Sequence, residues 1–417
     1  MKLCVIRKLM IPILCFVLSG IIIFAGAQTQ QSEDLVIGKK INLHSIFLDE
    51  DREILIYLPT DYFKTEKHYP VLYMLQGSEI LFHKASGTIR YLSEFKENIP
   101  EMILVNILFT DYLRDIFPVE LPDIPAAGGA DKFLDFLCLE LIPYMDKNYR
   151  TFPFNILYGQ SNTGMLAIYT LLTNPDYFKS YIASSPAIGQ GDNFMYPVTD
   201  TSLVKYSSLD KLLFITMGSD DPLADLVNEV MPGYLEILAE KAPEDLKWSI
   251  REYEGGGHCP QVTLHDGLEI TFVDWPVPES VKNEGISDIK EYLQKLNIKY
   301  GSSPNSKAIY WEIGMEYMRK EEYLEALPFF KETIEIDDKD PRSLYQIGKI
   351  SALTGENTEN AIECLKTYLA LENEYLNPPK SAAHWRLGMI YERTGRIEIA
   401  KEEYRVAIKL DPFNKQY

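Results

Sequence analysis

A serine flanked by small residues stands between an apolar run and a helical stretch in the middle of the chain. The segment from Asn155 to Gly164 passes from apolar residues through Gly159 and Ser161 into that stretch. A tight turn of this kind exposes the serine hydroxyl and needs a small residue where strand and helix nearly touch. An exposed serine can act as the nucleophile of acyl transfer when a base takes its proton. The pattern predicts Ser161 as a nucleophile, and its alternative interpretation is an ordinary serine in a turn.

Apolar runs that alternate with helical stretches surround this serine. Runs 41–48 and 52–58 flank an acidic turn and predict an antiparallel hairpin. Compact apolar runs predict six further strands, at 71–75, 103–108, 154–157, 181–183, 212–216 and 248–251. Helical stretches such as 130–149 and 164–173 separate them. This alternation predicts an α/β fold with a mostly parallel sheet, whose reactive loops follow the carboxyl ends of the strands.

Three further motifs are longer and more specific than the serine turn. They are Tyr69-Pro-Val-Leu-Tyr-Met-Leu-Gln-Gly77, the pair Arg114-Asp115, and the stretch from Gly128 to Phe133 that continues to Glu140-Leu-Ile-Pro-Tyr-Met-Asp-Lys-Asn-Tyr-Arg150. With the serine turn, they make residues 40–275 resemble the esterase family of α/β-hydrolases that includes esterase D and the trilactone siderophore esterases. The resemblance implies the α/β-hydrolase fold and ester hydrolysis. In that family the turn is commonly G-H-S-x-G-G, so Gln160 and Thr163 are departures.

The base and the acid of such a hydrolase follow the nucleophile in the chain order serine, acid, histidine. His258 follows three glycines, which let a loop carry an imidazole over the edge of the sheet. His265 is the alternative base. The segment that ends in Asp221-Pro222 resembles the G-x-x-D-P turn of α/β-hydrolases, which implies that Asp221 orients the histidine. Asp220 is the alternative acid, or otherwise a solvated neighbour or helix cap.

Donors for the oxyanion are expected from two backbone N–H groups. The fold takes one from the residue after the nucleophile, here Asn162, and one from the loop after an early strand, here Ser78 beside Gly77. Arg114 is a candidate for substrate contact. Its alternative role is a structural ion pair with a neighbouring carboxylate.

The last third of the chain is helical and repetitive. Gly301-Ser302-Ser303-Pro304-Asn305 supplies the residues that break a helix at a domain boundary. Two segments share one spacing: Tyr310-x-x-Ile313-Gly314-x-x-Tyr317 and His384-x-x-Leu387-Gly388-x-x-Tyr391. The spacing resembles tetratricopeptide repeats over residues 305–414, with a middle copy at Gly348 that carries insertions near 355–360 and 377–380. It predicts three helix pairs, with small residues where helices cross closely. Their surface could bind a protein partner, dock on the hydrolase domain or mediate self-association, and the sequence does not choose among these roles.

The amino terminus has the features of an export signal. Lys2, Arg7 and Lys8 precede the apolar stretch 9–24 and the small residues Ala25-Gly26-Ala27. We expect cleavage after Ala27 and a periplasmic or secreted protein; an uncleaved anchor is the alternative. Cys15 lies well inside the apolar stretch, which argues against a lipoprotein. The predicted domains are a signal peptide at 1–27, a hydrolase at 28–300 and three repeats at 301–417.

Charge and motif content exclude several functional classes. A formal charge of −20 argues against nucleic acids and anionic lipids as partners. The cysteines that follow the leader, Cys138, Cys259 and Cys364, form no CxxC pair, so neither a disulfide framework nor a zinc site is expected. The sequence has no motif for binding a metal, a dinucleotide or a phosphate loop, and we predict no cofactor and no metal.

Together these patterns predict an exported serine carboxylic ester hydrolase that works through a Ser-His-Asp triad and an acyl-enzyme. The ester could be a small molecule, a siderophore or a carbohydrate ester, and no membrane association is expected after cleavage of the leader. The alternative is a catalytically weakened hydrolase fold that binds a protein or peptide partner through its repeats. The departure at Thr163 motivates that alternative.

Overall fold

The computed structural model describes residues 35–121, 126–372 and 376–414. The predicted signal peptide lies outside these residues, so its cleavage stays a prediction. Among the helices of the described ranges, none has both the length and the apolar character needed to span a bilayer.

Eight strands form one sheet. They are β1 (Lys39–Ser45), β2 (Glu50–Tyr57), β3 (Tyr69–Met74), β4 (Ile103–Ile107), β5 (Thr151–Gln160), β6 (Ser180–Ser184), β7 (Leu212–Gly218) and β8 (Lys247–Tyr253). Their order is β1-β2-β4-β3-β5-β6-β7-β8. β1 and β2 form the predicted antiparallel hairpin, β2 also pairs antiparallel with β4, and β3 to β8 are parallel to one another. The prediction of a mostly parallel sheet is therefore confirmed.

Helices cover both faces of the sheet. They are α1 (Glu79–Arg90), α2 (Tyr112–Ile116), α3 (Ala130–Asp135), α4 (Ile142–Asn148), α5 (Asn162–Thr173), α6 (Gln190–Asn193), α7 (Met195–Leu203), α8 (Met231–Lys241), α9 (Thr263–Thr271), α10 (Glu279–Glu284) and α11 (Ile286–Tyr300). Short π-helical segments, Tyr91–Phe95 and Phe136–Leu141, follow α1 and α3, and a 3-10 turn spans Pro175–Tyr177. Val71 and Tyr73 enter one apolar core, and Leu72 and Met74 enter the other. Because successive strand residues face opposite sides, a strand covered on both faces must be apolar throughout.

Three helix pairs follow. They are α12 (Ser306–Arg319) with α13 (Tyr323–Ile336), α14 (Pro341–Thr354) with α15 (Thr358–Ala370), and α16 (Lys380–Arg393) with α17 (Ile397–Leu410). A Cβ on Gly314, Gly348 or Gly388 would lie 2.9, 2.4 or 2.4 Å from a side chain of the second helix of its pair. These glycines confirm the predicted close crossings, since a Cβ at any of them would clash with the facing side chain unless one of the two moved.

The middle pair differs from the prediction in one respect. Its two helices are joined by residues 355–357, a connection as short as residues 320–322 in the first pair, so the insertion predicted near 355–360 is wrong. The extra length lies in residues 371–379, between α15 and α16, where the second insertion was predicted. Spacing between glycines reports total length only, and it cannot say which of two loops holds the added residues.

Candidate active site

Ser161 occupies a strained turn between β5 and α5. Its φ and ψ are 55° and −124°, a combination that a residue with a side chain adopts only where its surroundings enforce it. The Ser161 N–H donates to the Ser184 carbonyl at the end of β6, at 2.8 Å. A Cβ on Gly159 would lie 2.0 Å from the Thr163 carbonyl oxygen, so only glycine lets strand and helix meet here. The turn therefore has the geometry of a nucleophile elbow.

Thr163, the departure from the family pattern, fits inside this turn. Its side chain is buried, and its hydroxyl accepts from the Gln160 N–H at 2.9 Å and donates to the Gln160 carbonyl at 2.8 Å. Gln76, two residues after the end of β3, donates to the same hydroxyl at 3.3 Å. The threonine thus binds across the turn through hydrogen bonds that a glycine could not make. Its β-branched side chain is therefore accommodated inside the turn.

The structure brings Asp221 and His258 together. Nδ1 of His258 lies 3.0 and 2.9 Å from the two carboxylate oxygens of Asp221. The Asp221 side chain is fully buried, whereas 24% of the His258 side chain is exposed. His265, the alternative base, lies on α9 and pairs with Asp266 at 2.9 Å. Of the two histidines, His258 therefore has the carboxylate on the loop after β7 as its partner.

The loop of His258 and the turn of Ser161 meet at the end of β6. Ser184 accepts from the Ser161 N–H, and its carbonyl also faces the Cys259 thiol, with Sγ at 3.9 Å. Burial, together with the nearby charge of Asp221, raises the pKa of Cys259 to about 12. At neutral pH this residue is therefore a thiol and does not compete with the serine as a nucleophile.

The two predicted oxyanion donors lie at the N-termini of two helices, and each helix follows one of two neighbouring strands. Asn162 is the first residue of α5, after β5, and Ser78 is the N-cap of α1, after β3. β3 pairs directly with β5. Gly77 turns the chain with a φ of 56° and donates its N–H to Ile107 at 3.1 Å. N–H groups at the start of a helix lack acceptors within that helix, so both positions favour a developing negative charge.

Arg114 lies in an ion-pair network. Its guanidinium donates to Glu50 at 3.1 and 2.6 Å and to Asp115 at 2.8 Å. Asp115 also pairs with Arg52 at 2.6 Å, and both of these side chains are fully buried. These contacts agree with the alternative role of Arg114, a structural ion pair with neighbouring carboxylates. Substrate contact by Arg114 stays a prediction.

Comparison with known families identifies both parts of the chain. The family model described as "Putative esterase" matches residues 45–223. Tetratricopeptide repeat models match residues 308–340 and 381–414, which are the first and third helix pairs. The sheet-containing part of the chain, called the esterase domain below, is therefore similar to this family over residues 45–223, and the first and third helix pairs are similar to tetratricopeptide repeats. Because such repeats build extended binding surfaces, they allow a protein interaction.

Two sequence relatives of the esterase domain are named as esterases, one of ferri-bacillibactin and one of the siderophore triacetylfusarinine C. The ferri-bacillibactin esterase of Bacillus subtilis is 25% identical over 213 residues, which cover 46% of this chain and 73% of that protein. The siderophore triacetylfusarinine C esterase of Aspergillus fumigatus is 43% identical over 180 residues, or 37% of this chain and 61% of that protein. An IroE-like serine hydrolase from Shewanella oneidensis shares the fold, with a TM-score of 0.58 and 24% identity over 68% of this chain and 95% of that chain. The sequence relatives support hydrolase activity for the esterase domain.

Two residues beside the histidine loop of the esterase domain were not predicted to bind it. Asp220 accepts a hydrogen bond from the Gly257 N–H, and Ser185 accepts one from the Cys259 N–H. The sequence pattern offered Asp220 as the alternative acid, or otherwise as a solvated neighbour or helix cap, and not as a partner of the histidine loop. Nothing in the sequence marked Ser185, because it lies far along the chain from the loop that it binds.

Proposed function

We propose that the chain is an exported serine carboxylic ester hydrolase, with Ser161 as nucleophile, His258 as base and Asp221 as the acid that orients the base. The observation that carries this proposal is the pair of a buried carboxylate and a partly exposed imidazole, at 2.9 Å, on the loops after β7 and β8. The strained serine turn follows β5 at the same edge of the parallel sheet. Nucleophile, acid and base occur in the chain order of α/β-hydrolases.

In the proposed reaction, Ser161 Oγ attacks the carbonyl carbon of the ester while Nε2 of His258 takes the hydroxyl proton. The electron pair of the C=O bond moves to the oxygen, which receives hydrogen bonds from the N–H groups of Asn162 and Ser78. Asp221 accepts the Nδ1–H bond and stabilises the imidazolium. Collapse of the intermediate breaks the bond to the alcohol, which leaves with the proton from His258. Water then attacks the acyl-enzyme in the same manner, and the carboxylic acid is released.

We propose a siderophore ester as the substrate class, with carbohydrate and other small esters as the alternatives. Two siderophore esterases among the relatives support this choice, one of them 43% identical over 180 residues. The proposed site of action is outside the cytoplasm, because the leader 1–27 has the features of an export signal. In this proposal, hydrolysis would open an ester bond of a siderophore without any cofactor.

Hydrolysis by wild type and by the variant Ser161→Ala tests the proposal. The mature chain from Gln28 is assayed on nitrophenyl acetate, a trilactone siderophore and a feruloyl ester. We expect Ser161→Ala to lower kcat by a factor on the order of 10⁶, since a triad without its nucleophile keeps only the contribution of binding and oxyanion donors. Ser219→Ala, an exposed serine just after β7, is the matched control and should retain the wild-type rate.

A fluorophosphonate probe adds a direct readout of the nucleophile. One probe per chain should attach to wild type and to Ser219→Ala, and none to Ser161→Ala. Ester hydrolysis by Ser161→Ala at the wild-type rate would show that Ser161 is not the nucleophile. Faster turnover of feruloyl ester than of the siderophore would leave the mechanism intact and overturn the proposed substrate class.

A further inference from the structure

We infer that Asp220 and Ser185 are positioning residues that hold the loop of His258 from its two sides. The inference rests on the proposed function, because it assigns to these residues the placement of the base. Gly257, His258 and Cys259 are consecutive, and each is hydrogen-bonded to a different residue at the carboxyl ends of β6 and β7. Asp221 binds the imidazole, and the other two contacts bind the backbone on either side of it.

The loop has a backbone that needs such anchors. Gly255, Gly257 and Cys259 all have left-handed conformations, with φ of 63°, 58° and 61°. Glycine adopts this conformation without steric cost, so the first two residues make the loop pliable and do not hold it in place. For Cys259 the same conformation is strained, and strain persists only where surrounding contacts enforce it. A loop of this kind has many accessible shapes, of which catalysis requires one.

Asp220 anchors the side of the loop before the histidine. Its carboxylate oxygen Oδ1 accepts from the Gly257 N–H at 2.8 Å. The backbone of the loop lies directly on the end of β7 there, since a Cβ on Gly218 would be 2.2 Å from the Gly257 carbonyl oxygen. Asn228 donates to the Gly218 carbonyl at 2.9 Å and so restrains the strand end beneath the loop. Asp220 and Asp221 are adjacent carboxylates with separate partners, one on the backbone and one on the imidazole.

Ser185 anchors the side of the loop after the histidine. Its hydroxyl oxygen accepts from the Cys259 N–H at 3.1 Å. Ser185 is fully buried, and its own N–H donates to the Thr216 carbonyl of β7 at 2.6 Å. The hydroxyl is therefore presented by the rigid ends of β6 and β7. The preceding residue, Ser184, accepts from the Ser161 N–H, so the Ser184-Ser185 pair contacts both the nucleophile turn and the histidine loop.

Loss of either anchor is expected to slow the reaction and to leave substrate binding unchanged. Neither side chain is assigned to the triad or to the oxyanion donors, so KM should stay near its wild-type value. A displacement of about 1 Å between reacting groups can cost about 10²-fold in rate. Because both anchors restrain one loop, the effects of removing them should not be additive.

The exposed anchor offers a matched pair of variants, Asp220→Ala and Asp220→Asn. Asparagine keeps an Oδ1 acceptor for the Gly257 N–H and removes the charge, whereas alanine removes both. We expect kcat to fall about tenfold or more in Asp220→Ala and to be largely restored in Asp220→Asn, with KM unchanged in both. Asp220→Ala with wild-type kcat would overturn the role of Asp220. A loss of kcat in Asp220→Asn as large as in Asp220→Ala would overturn the hydrogen bond as its cause.

Ser185→Ala is compared with Ser180→Ala. Ser180 is a buried serine at the start of β6, and its hydroxyl lies 2.7 Å from that of Thr271. We expect both to lose some thermal stability and only Ser185→Ala to lose kcat, again about tenfold. Equal kcat in the two variants would overturn the role of Ser185. If Ser185→Ala does not fold, the Asp220 pair still decides the inference. Retained activity in Ser161→Ala would refute the proposed function, whereas an inactive Ser161→Ala with fully active Asp220→Ala and Ser185→Ala would refute this inference alone.

Discussion

Two buried carboxylates in the esterase domain, Asp221 and Asp115, have opposite kinds of partner. Both side chains are fully buried. Asp221 pairs with His258, which is partly exposed and lies on a glycine-rich loop, while Asp115 pairs with Arg52, which is fully buried on β2. Burial of an acid therefore does not by itself indicate catalysis. In the proposed reaction, the two pairs differ in whether the partner of the carboxylate exchanges a proton with a substrate.

The arginine pair is suited to holding structure. A guanidinium stays protonated at any ordinary pH, so Arg52 cannot act as a base. Its guanidinium carbon lies 6.0, 5.4 and 5.7 Å from the ring centres of Phe109, Phe133 and Phe136. These aromatic faces surround a cation that links β2 to the helix α2 of Asp115. An imidazole, by contrast, gains and loses a proton near neutral pH and can serve as a base.

Among variants that test the two carboxylate pairs, the largest effect is expected from Asp221→Asn. An amide cannot hold the imidazole in the tautomer that leaves Nε2 free to accept a proton, so kcat should fall about 10⁴-fold. Steady-state hydrolysis of nitrophenyl acetate measures this loss. Asp225→Asn, which changes an exposed carboxylate four residues later, should have wild-type kcat. More than half of the wild-type kcat in Asp221→Asn would remove the functional contrast between the two carboxylates.

Arg52→Met should instead affect stability. Without the arginine, Asp115 keeps one ion pair, to Arg114, and loses the buried one, which costs about 3–5 kcal/mol in the free energy of unfolding. Urea denaturation measures this change, and kcat of the folded protein should stay at the wild-type value. The double variant Arg52→Met with Asp115→Leu should recover part of the loss, because no unpaired buried charge remains. Full stability in Arg52→Met would show that the network is not structural.

The smallest expected effect is a pH-dependent loss of stability when Glu50, a partner of Arg114 in the arginine network, is replaced. The hydrogen bond from Arg114 holds the pKa of Glu50 below its ordinary value of 4.5 in the folded protein. A pKa lowered by folding contributes stability above the ordinary pKa, and this contribution is lost as pH falls through the lowered value. Glu50→Gln should therefore be less stable than wild type by roughly 1–2 kcal/mol at pH 7. The difference should shrink below pH 4.5, as measured by urea denaturation at several pH values. A difference that grows on acidification would contradict the assigned sign.

Much of the fold was predictable from local patterns. Every predicted strand is present. The apolar runs of β3, β4 and β6 are buried along their whole length, which is why their pattern was clear in the sequence. The first and last residues of a strand were harder to predict. β5 extends from Thr151 to Gln160, beyond the apolar run 154–157, because its polar ends still pair with β3 and β6. The π-helical segment Phe136–Leu141 was not predictable, since the same apolar spacing also fits an ordinary α-helix.

The candidate site was predictable where its signal is local. Ser161, two residues after Gly159, and His258, directly after three glycines, could be recognised from the sequence. The neighbouring glycines indicate the backbone conformations that a catalytic turn and loop need. The choice between two adjacent aspartates is different in kind, because their side chains point in different directions from one turn. Sequence spacing contains no information on those directions, and only the contacts with Gly257 and His258 distinguish the two.

By itself, the sequence determined which strands and helices follow one another along the chain, the repeated helix pairs and the turn at Ser161. These features depend on periodicity and turn chemistry, which are properties of residues close together in the sequence. Only the tertiary structure decided that Arg114 binds Glu50, 64 positions away, and that Ser185 binds the residue after His258, 74 positions away. Such contacts depend on which strands become neighbours and on where each strand ends. They arise when the strands assemble into the sheet, and no local pattern along the chain encodes them.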